Sequence, residues 1–292
     1  MSKVLINPER LTEIADALRE VTGSTDTWKP ADMPAVIREI NTGGGEGVDL
    51  ATLADGSYPW GDYVGSETAL NTRLYSMQNM SSYTNSKLIS IGADSAFALS
   101  TLQRFSAPNL ETLGNRANIF QYCNNLIEAD MGKVTSLPPS TFYGASKLET
   151  VPNSDILTSV GQQCFSFNVA LTDINLEKVE SIGPFAFAQC ANLETIRLPS
   201  IVNLSANIFN NSHKISVVEL GEACTTVTNS AFSSCKIDLT LIIRTTTPPT
   251  LTGTFMLGSG GAVISIRVPA ESVDAYKAAN NWKNYAPVIS AI

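Results

Sequence analysis

His213 is the only histidine in this 292-residue chain, so a hydrolase with a serine or cysteine nucleophile would need it as the general base. It stands four residues after Phe209 in a stretch that favours a turn. The chain contains no Gly-x-Ser-x-Gly sequence that would present a nucleophile at a sharp turn. The sequence therefore argues against this type of catalysis.

The five cysteines follow a different pattern. Cys123, Cys190 and Cys235 each stand three residues after a phenylalanine, Cys164 stands directly before one, and Cys224 fits no repeated position. Other segments hold small residues at the first of these positions: Ser100, Ala145, Asn168 and Ser212. A small-residue position accounts for free cysteine, and no Cys-x-x-Cys pair indicates a metal site. The chain also lacks a phosphate-binding glycine loop and a calcium loop, so we predict no cofactor.

Carboxylates are the remaining candidates for chemistry, since glycoside hydrolysis needs two of them about 5 to 9.5 Å apart. Seven acidic residues recur close to the predicted strands: Glu128, Asp130, Glu149, Asp173, Glu177, Glu194 and Glu219. All seven fall at predicted outward positions. A solvated acidic face gives the same pattern without catalysis, and we favour that interpretation.

The element that must position these residues is a repeat of 22 or 23 residues. Its most regular member is a phenylalanine, found at Phe97, Phe120, Phe142, Phe165, Phe187, Phe209, Phe232 and Phe255. Such a period predicts a solenoid, in which one short coil is repeated and stacked. The phenylalanines are then expected to form an aromatic ladder inside the stack.

Each coil also carries the pattern Leu-x-x-Ile-x-Leu, as in Leu171, Ile174 and Leu176. Its alternating part is typical of a strand with one buried face. We therefore predict an α/β repeat solenoid of the leucine-rich-repeat type, a stack of short strands with return arms. A small N-terminal helical hairpin and a C-terminal capping helix complete the predicted fold.

Residues 182–199 closely resemble the BspA-type bacterial leucine-rich repeats, and residues 266–282 resemble the segment that commonly closes such arrays. The resemblance covers roughly residues 70–292. It implies adhesion and surface recognition, on bacterial surface proteins and on phage or prophage products. It implies no common catalytic activity.

The first 40 residues show a helical spacing of apolar residues instead. Two short helices are predicted, and a unit of this size can hardly be stable without a partner. The candidate assembly face consists of Leu11, Ile14, Leu18, Met33, Ile37 and Ile40. We expect this face to meet other copies of the chain or a docking partner.

Residues 11–19, 22–26 and 31–37 resemble the N-terminal segment of prophage tail-associated proteins from Gram-positive bacteria. That resemblance implies attachment to a virion and contact with other tail proteins. The predicted organisation has five parts: a helical attachment or oligomerisation module (1–40), a Gly-rich linker (41–47), a junction and N-terminal cap (48–90), the solenoid (91–264) and a C-terminal cap (265–292).

The composition excludes several classes of partner. The formal net charge is −8, which is unfavourable for coating nucleic acid or an anionic membrane. No apolar run approaches the roughly 18 to 20 residues that span a bilayer, and the N-terminus has too short an apolar stretch for a secretory signal. We therefore expect neither nucleic-acid binding nor membrane insertion. The two resemblances imply a virion or extracellular location.

The outward residues beside the repeated strands form the candidate ligand-binding strip. Its members are Glu128, Asp130, Glu149, Asp173, Asn175, Glu194, Arg197 and Glu219. The main hypothesis is a non-enzymatic, oligomeric phage or prophage tail protein that binds a host cell-surface protein or glycan through this strip. The alternatives are a bacterial BspA-like surface adhesin and, from another class, a glycan-degrading tail enzyme.

Overall fold

The structure is a computed structural model. It describes residues 68–71, 74, 80–114, 117–235 and 238–292, and the backbone of residues 62–64. These residues form a stack of coils in which every strand pair is parallel. Each coil has a front arm and a side arm, most of which contain short strands, and a return arm made of turns. The predicted leucine-rich-repeat stack of short strands is thereby confirmed, but the described residues form a parallel β-solenoid with few helices rather than the predicted α/β solenoid.

The front arms carry the longer strands. These are β1 (Asp62–Val64), β3 (Ser82–Thr84), β5 (Arg104–Ser106), β6 (Glu128–Asp130), β10 (Thr195–Leu198), β12 (Val217–Leu220), β14 (Asp238–Ile243), β16 (Ala262–Val268) and β17 (Ile289–Ala291). They form two sheets, ordered β1-β3-β5-β6 and β10-β12-β14-β16-β17. The front of the molecule is therefore not one uninterrupted sheet.

The side arms carry strands of two residues. These are β2 (Ala69–Leu70), β4 (Ser90–Ile91), β7 (Ser136–Leu137), β8 (Ser159–Val160), β9 (Ser181–Ile182), β11 (Asn203–Leu204), β13 (Thr226–Val227) and β15 (Thr250–Leu251). In each of them the second residue points into the core and is buried. The side arm thus contributes one apolar residue per coil to the interior.

The six return arms from Phe97 to Phe209 each bend twice through the left-handed region of backbone conformation. In the coil of Phe120, for example, Asn118 and Tyr122 have φ of 64° and 56°. The N–H of Phe120 donates to the carbonyl of Thr141 in the next coil, at 2.7 Å. The return arm is therefore a hydrogen-bonded ladder of turns, although residue types other than glycine occupy most of its left-handed positions.

The repeat phenylalanines form the predicted ladder. Six consecutive ring pairs from Phe97 to Phe232 are stacked, with centroids 5.2–6.1 Å apart. All the side chains from Phe97 to Phe232 in this series are fully buried. One apolar core runs the length of the stack, from Leu70 to Ile289. Stacked aromatic pairs add about 0.5–1.5 kcal/mol each beyond the area that they bury.

The C-terminal end is capped as predicted, but by a shorter helix. The helix α1 (Val273–Ala278) follows a 3-10 turn (Ala270–Ser272), and a second 3-10 helix (Trp282–Val288) comes after it. Asn281 separates them with a φ of 65°. The sequence spacing predicts a single helix through Trp282, with Lys277 and Asn280 on the packed stripe. Both of these side chains are exposed instead.

Tyr276 and Trp282 fill the open end of the last coil and are fully buried. The Trp282 indole N–H donates to the carbonyl of Pro249 at 2.7 Å. The Tyr276 hydroxyl lies 2.7 Å from the Thr245 Oγ1. The hydrogen bonds satisfy both polar tips, as buried tyrosine and tryptophan require.

The predicted helical hairpin of residues 1–40, its assembly face, the linker at 41–47 and most of the junction lie outside the described residues. Among the described residues, α1 is the only α-helix. None of the helices in that part of the chain is long and apolar enough to cross a membrane.

Candidate functional site

The front face is the surface formed by the outward side chains of the front arms. In β10, Thr195 and Arg197 point outward, whereas Ile196 and Leu198 are buried. The strand register places equivalent residues side by side in successive coils. The face comprises Arg104, Ser106, Glu128, Asp130, Asp173, Asn175, Thr195, Arg197, Val217, Glu219, Thr240 and Ile242.

Six members of the predicted strip occupy outward positions of this face: Glu128, Asp130, Asp173, Asn175, Arg197 and Glu219. Glu149 and Glu194 are also exposed, but each stands one residue before an outward position, those of Thr150 and Thr195. The carbonyl of Glu194 accepts a hydrogen bond from the N–H of Val217 at 3.2 Å. These two glutamates therefore line the border of the front face.

Arginines neutralise much of the acidity on this face. Arg104 Nη1 lies 2.5 Å from Glu128 Oε2. Glu219 contacts two arginines, with Arg244 Nε at 2.5 Å and Arg197 Nε at 3.5 Å. The Arg197 side chain is 78% exposed, so most of its guanidinium remains available. Exposed pairs of this kind add only about 0–1 kcal/mol to stability, so they shape the surface more than they hold the fold.

Asp130 is tied into its surroundings. Its carboxylate accepts hydrogen bonds from the Ser106 hydroxyl at 3.2 Å, the Gly132 N–H at 3.0 Å and the Asn153 side-chain amide at 3.2 Å. These contacts join three successive coils at the edge of the first sheet. Asp130 therefore has a structural role, and its carboxylate is already engaged.

The front face contains a break between its two sheets. Thr150 forms only an isolated bridge with Glu128, and residues 171–176 form no strand. Within the described residues, no backbone hydrogen bond joins residues 172–176 to the neighbouring front arms. Leu171, Ile174 and Leu176 nevertheless keep their buried positions. The coil is therefore present in the stack, but its front arm has separated from the ladder.

The break coincides with a proline and a one-residue insertion in the preceding coil. Leu148 and Leu157 are nine residues apart, whereas Leu171 and Val179 in the next coil are eight apart. Pro152 takes the outward position after Thr150 and has no N–H to donate to the ladder. A left-handed Asn153 and a 3-10 turn (Ser154–Ile156) then absorb the extra residue. The chain therefore leaves the strand path at this coil.

The break exposes the backbone edge of β10. In the regular part, the Val217 N–H donates to the Glu194 carbonyl and the Gly221 N–H to the Leu198 carbonyl. One coil earlier, the same geometry would direct the N–H groups of Thr195 and Arg197 to residues 172 and 174. Those bonds are absent among the described residues. Two backbone donors are therefore free for a ligand or solvent, as at the edge of a sheet.

A cleft of about 430 Å³ lies at this break. Its walls consist of Asp173, Ile174, Asn175, Leu176, Glu177, Thr195 and Arg197. Two carboxylates, an amide, a hydroxyl and a guanidinium therefore surround a small apolar floor. Such a site can hold a polar ligand by charge and directional hydrogen bonds, with the free edge of β10 as a further donor.

A second cleft of about 460 Å³ lies beside the end of β14. Its lining contains Glu222, Arg244, the segment 245–247, two prolines and Cys224. The Cys224 thiol lies 3.6 Å from the Thr226 carbonyl, and burial raises its pKa to about 11. A protonated thiol is a poor nucleophile, so this cleft offers no reactive cysteine.

The other residues considered for catalysis are His213 and the five cysteines. His213 is exposed in a turn. All five cysteines are free and buried, and desolvation raises the pKa of Cys164 and Cys190 to about 12. Residues 80–114, 117–235 and 238–292 contain no cluster of three or more histidine, cysteine or acidic side chains that could hold a metal ion.

The comparisons with known proteins identify the class. The family model described as the BspA type leucine rich repeat region matches residues 68–178 and 116–238, with six copies of the repeat. The matches cover more than half of the chain, so the chain belongs to this family of repeat proteins. The expected resemblance to BspA-type repeats is thereby confirmed. No curated protein matches the chain.

Two solved structures are similar to the chain. One is a leucine-rich repeat protein from Bacteroides ovatus, with 15% identity and a TM-score of 0.45 over 77% of this chain and 75% of that one. The other is a leucine rich cell surface protein from Faecalibacterium prausnitzii, with 19% identity and a TM-score of 0.36 over 76% of this chain and 52% of that one. The chain thus spans about half the length of the second protein.

The sequence pattern locates the outward residues but not the cleft between them. Pro152 and Asn153 interrupt the coil of Leu148. The proline is the signal for a break, because an equal extra residue between Ile215 and Cys224 leaves β12 in the ladder. A pattern of outward residues cannot show that Asp173, Asn175 and Arg197 line a concavity. That depends on the loss of backbone bonds between two coils.

Proposed function

We propose that this protein is a non-enzymatic surface-recognition protein that binds a polar ligand through the cleft at the break in its front face. The observation that carries the proposal is the separation of residues 172–176 from the ladder. It places opposite charges and unpaired backbone donors together in the middle of an extended surface. Solenoids commonly use their long sheet surfaces for binding.

The chemistry of the cleft favours a ligand with both charge and hydrogen-bonding groups. Asp173 and Glu177 suit an ammonium group, and Arg197 suits a carboxylate or phosphate. Asn175 and the N–H groups of β10 suit carbonyls and hydroxyls. An exposed polypeptide segment and a charged cell-surface glycan both meet these requirements. A surface adhesin of the BspA type is the biological role that best fits this combination of family and site.

The test compares two charge-matched double variants of the full chain. D173N/R197Q removes one negative and one positive charge from the cleft, and D274N/K277Q removes the same charges from the exposed side of α1. Fluorescently labelled proteins are titrated onto surfaces coated with bacterial cell-wall polysaccharide or extracellular-matrix protein. We expect the cleft variant to bind at least tenfold more weakly than the wild type and the control to bind equally well. Equal binding by both variants would remove the cleft from the proposal.

Attachment to a phage tail is the second candidate function, and it rests on residues 11–19, 22–26 and 31–37. A virion-borne protein would use that segment to assemble and the solenoid to recognise a host. Charged substitutions on the predicted assembly face, L11D and I14D, test this by light scattering of the full chain. An oligomer that becomes a monomer supports the assembly role. A wild-type monomer counts against it.

The same polysaccharide preparation separates binding from degradation. A glycan-degrading enzyme would release reducing ends, and loss of that release after substituting a carboxylate pair would overturn the recognition proposal. The acidic residues nearest the cleft are Asp173 and Glu177, so D173N and E177Q are the variants for this measurement.

A further inference from the structure

A cluster of exposed aromatic rings lies on the return arms, away from the front face. The rings of Tyr122 and Tyr143 are in edge contact with centroids 5.3 Å apart, and those of Tyr143 and Phe167 likewise at 5.3 Å. Tyr122 is 43% exposed and Phe167 is 37% exposed. The three residues belong to three successive coils. They therefore form a continuous apolar patch rather than scattered surface residues.

The backbone of this patch is of a kind that large side chains rarely adopt. Tyr122 and Phe167 stand two residues after a repeat phenylalanine and have φ of 56° and 64°. Asn211 occupies the same position in a later coil with a φ of 57°. Asparagine tolerates this conformation much better than an aromatic residue does. The exposed rings therefore stand where the fold itself would favour a small polar residue.

Gly144 supports the Tyr122 ring at the equivalent position of the next coil. A Cβ atom at Gly144 would lie 2.6 Å from Cδ1 of Tyr122 and 3.0 Å from Cε1. The ring thus rests directly on the Gly144 backbone. The backbone of Gly144 therefore supports the ring, while Tyr122 stays 43% exposed.

The surroundings of the rings carry polar groups without formal charge. The return-arm segments 117–124, 139–146, 162–169 and 184–191 contain no Asp, Glu, Lys or Arg. The side-chain amides of Gln121, Gln163 and Gln189 form no hydrogen bond within the described part of the chain. An apolar platform bordered by free amides is complementary to a ligand that has C–H faces and many hydroxyl groups.

We propose that this aromatic platform, formed by Tyr122, Tyr143 and Phe167, binds a neutral carbohydrate chain. Sugar rings stack their C–H faces on the rings, and their hydroxyls exchange hydrogen bonds with the flanking amides. Because the rings repeat with the coils, a linear oligosaccharide lying along the solenoid axis contacts all three. This site is separate from the front-face cleft and does not depend on the function proposed for it.

Isothermal titration calorimetry of the full chain with chitohexaose, cellohexaose and maltohexaose tests the platform. The variants are Y122N and F167N, which place asparagine where Asn211 already stands and therefore keep the fold. V202N is the matched control, because it removes an exposed apolar side chain outside the patch. Circular dichroism melting confirms that all of them are folded.

We expect the wild type to bind at least one of these oligosaccharides and each platform variant to bind it at least tenfold more weakly. V202N and the cleft variant D173N/R197Q should bind like the wild type, which distinguishes the platform from the front face. Absence of binding to all three probes overturns the proposal, as does unchanged binding by Y122N and F167N. A lower molecular mass of Y122N in light scattering, without oligosaccharide binding, would also overturn it and would instead identify a contact between copies of the chain.

Discussion

The thiol of Cys190 donates a hydrogen bond to the carbonyl of Phe165 in the preceding coil, with the sulfur 3.1 Å from the oxygen. The same contact recurs along the stack. Equivalent bonds reach the carbonyl of the preceding repeat phenylalanine from Cys123, Asn168, Ser212 and Cys235. The small-residue position therefore favours a compact donor such as cysteine, serine or asparagine, although Ala145 shows that a donor is not required.

This contact predicts different outcomes for two substitutions of Cys190. C190S keeps a donor of similar size, and serine is already accommodated at Ser212, so the free energy of unfolding should change by less than about 0.5 kcal/mol. C190A removes the donor and should lower it by about 1 kcal/mol. Urea unfolding followed by circular dichroism measures both. Equal losses in the two variants would show that the hydrogen bond has no energetic role.

Alkaline pH should destabilise the fold in a defined window. Desolvation raises the pKa of the five thiols from 9.0 to about 11 or 12. The folded state thus favours the protonated thiol. The contribution of the protonated thiols to the free energy of unfolding is complete below about pH 9. It is lost as the pH rises from there through the pKa values of the folded state, by about 1.4 kcal/mol per pH unit for each thiol.

The measurement is the free energy of unfolding between pH 7 and pH 11. C164S lacks one of the titrating groups and should show a shallower decline than the wild type. A free energy that stays constant up to pH 11 would contradict the burial of these thiols. Tyr276, whose pKa burial raises to about 12, adds to the decline at the upper end.

The aromatic ladder predicts that substitutions of two phenylalanines, two residues apart, differ strongly in their effect on the free energy of unfolding. Phe165 is fully buried between stacked rings, so F165A should lower the free energy of unfolding by about 3–5 kcal/mol. Phe167 is exposed and its backbone is in the left-handed region, so F167N should leave the free energy of unfolding unchanged or slightly higher. Thermal melting of both variants checks this, and similar losses would contradict the assignment of inward and outward rings.

The ladder and the inward residues are predictable because they follow from periodicity. A residue that recurs at every turn of a stack must occupy the same environment each time, so Phe165 and Phe187 have to be stacked and Leu171, Ile174 and Leu176 have to be buried. The small-residue position is also visible in the sequence. Its hydrogen bond to the phenylalanine carbonyl is not, since that depends on the orientation of a backbone group in the neighbouring coil.

The break in the front face is only partly predictable from the sequence. Pro152 removes one backbone donor, and the extra residue shifts the path of a single coil. The exposed aromatic platform escapes prediction for another reason. Tyr122, Tyr143 and Phe167 look like ordinary apolar residues of a repeat until the left-handed backbone turns two of them outward.

Hydrogen exchange can locate the break directly. The backbone N–H groups of Thr195 and Arg197 have no partner in the described part of the ladder, whereas those of Val217 and Gly221 donate to the preceding coil. We expect the first pair to exchange at least tenfold faster under native conditions, measured by NMR or by mass spectrometry with residue resolution. Equal protection of the two pairs would mean that the sheet continues through this coil.

Recognition through the front-face cleft is tested most directly by binding of the labelled full-length protein to intact bacterial and epithelial cells. D173N/R197Q and D274N/K277Q are measured side by side with the wild type. We predict saturable binding that falls at least tenfold for the cleft variant and stays unchanged for the control. Saturable binding that is identical for both variants would contradict recognition through the cleft, as would the absence of saturable binding to every cell type.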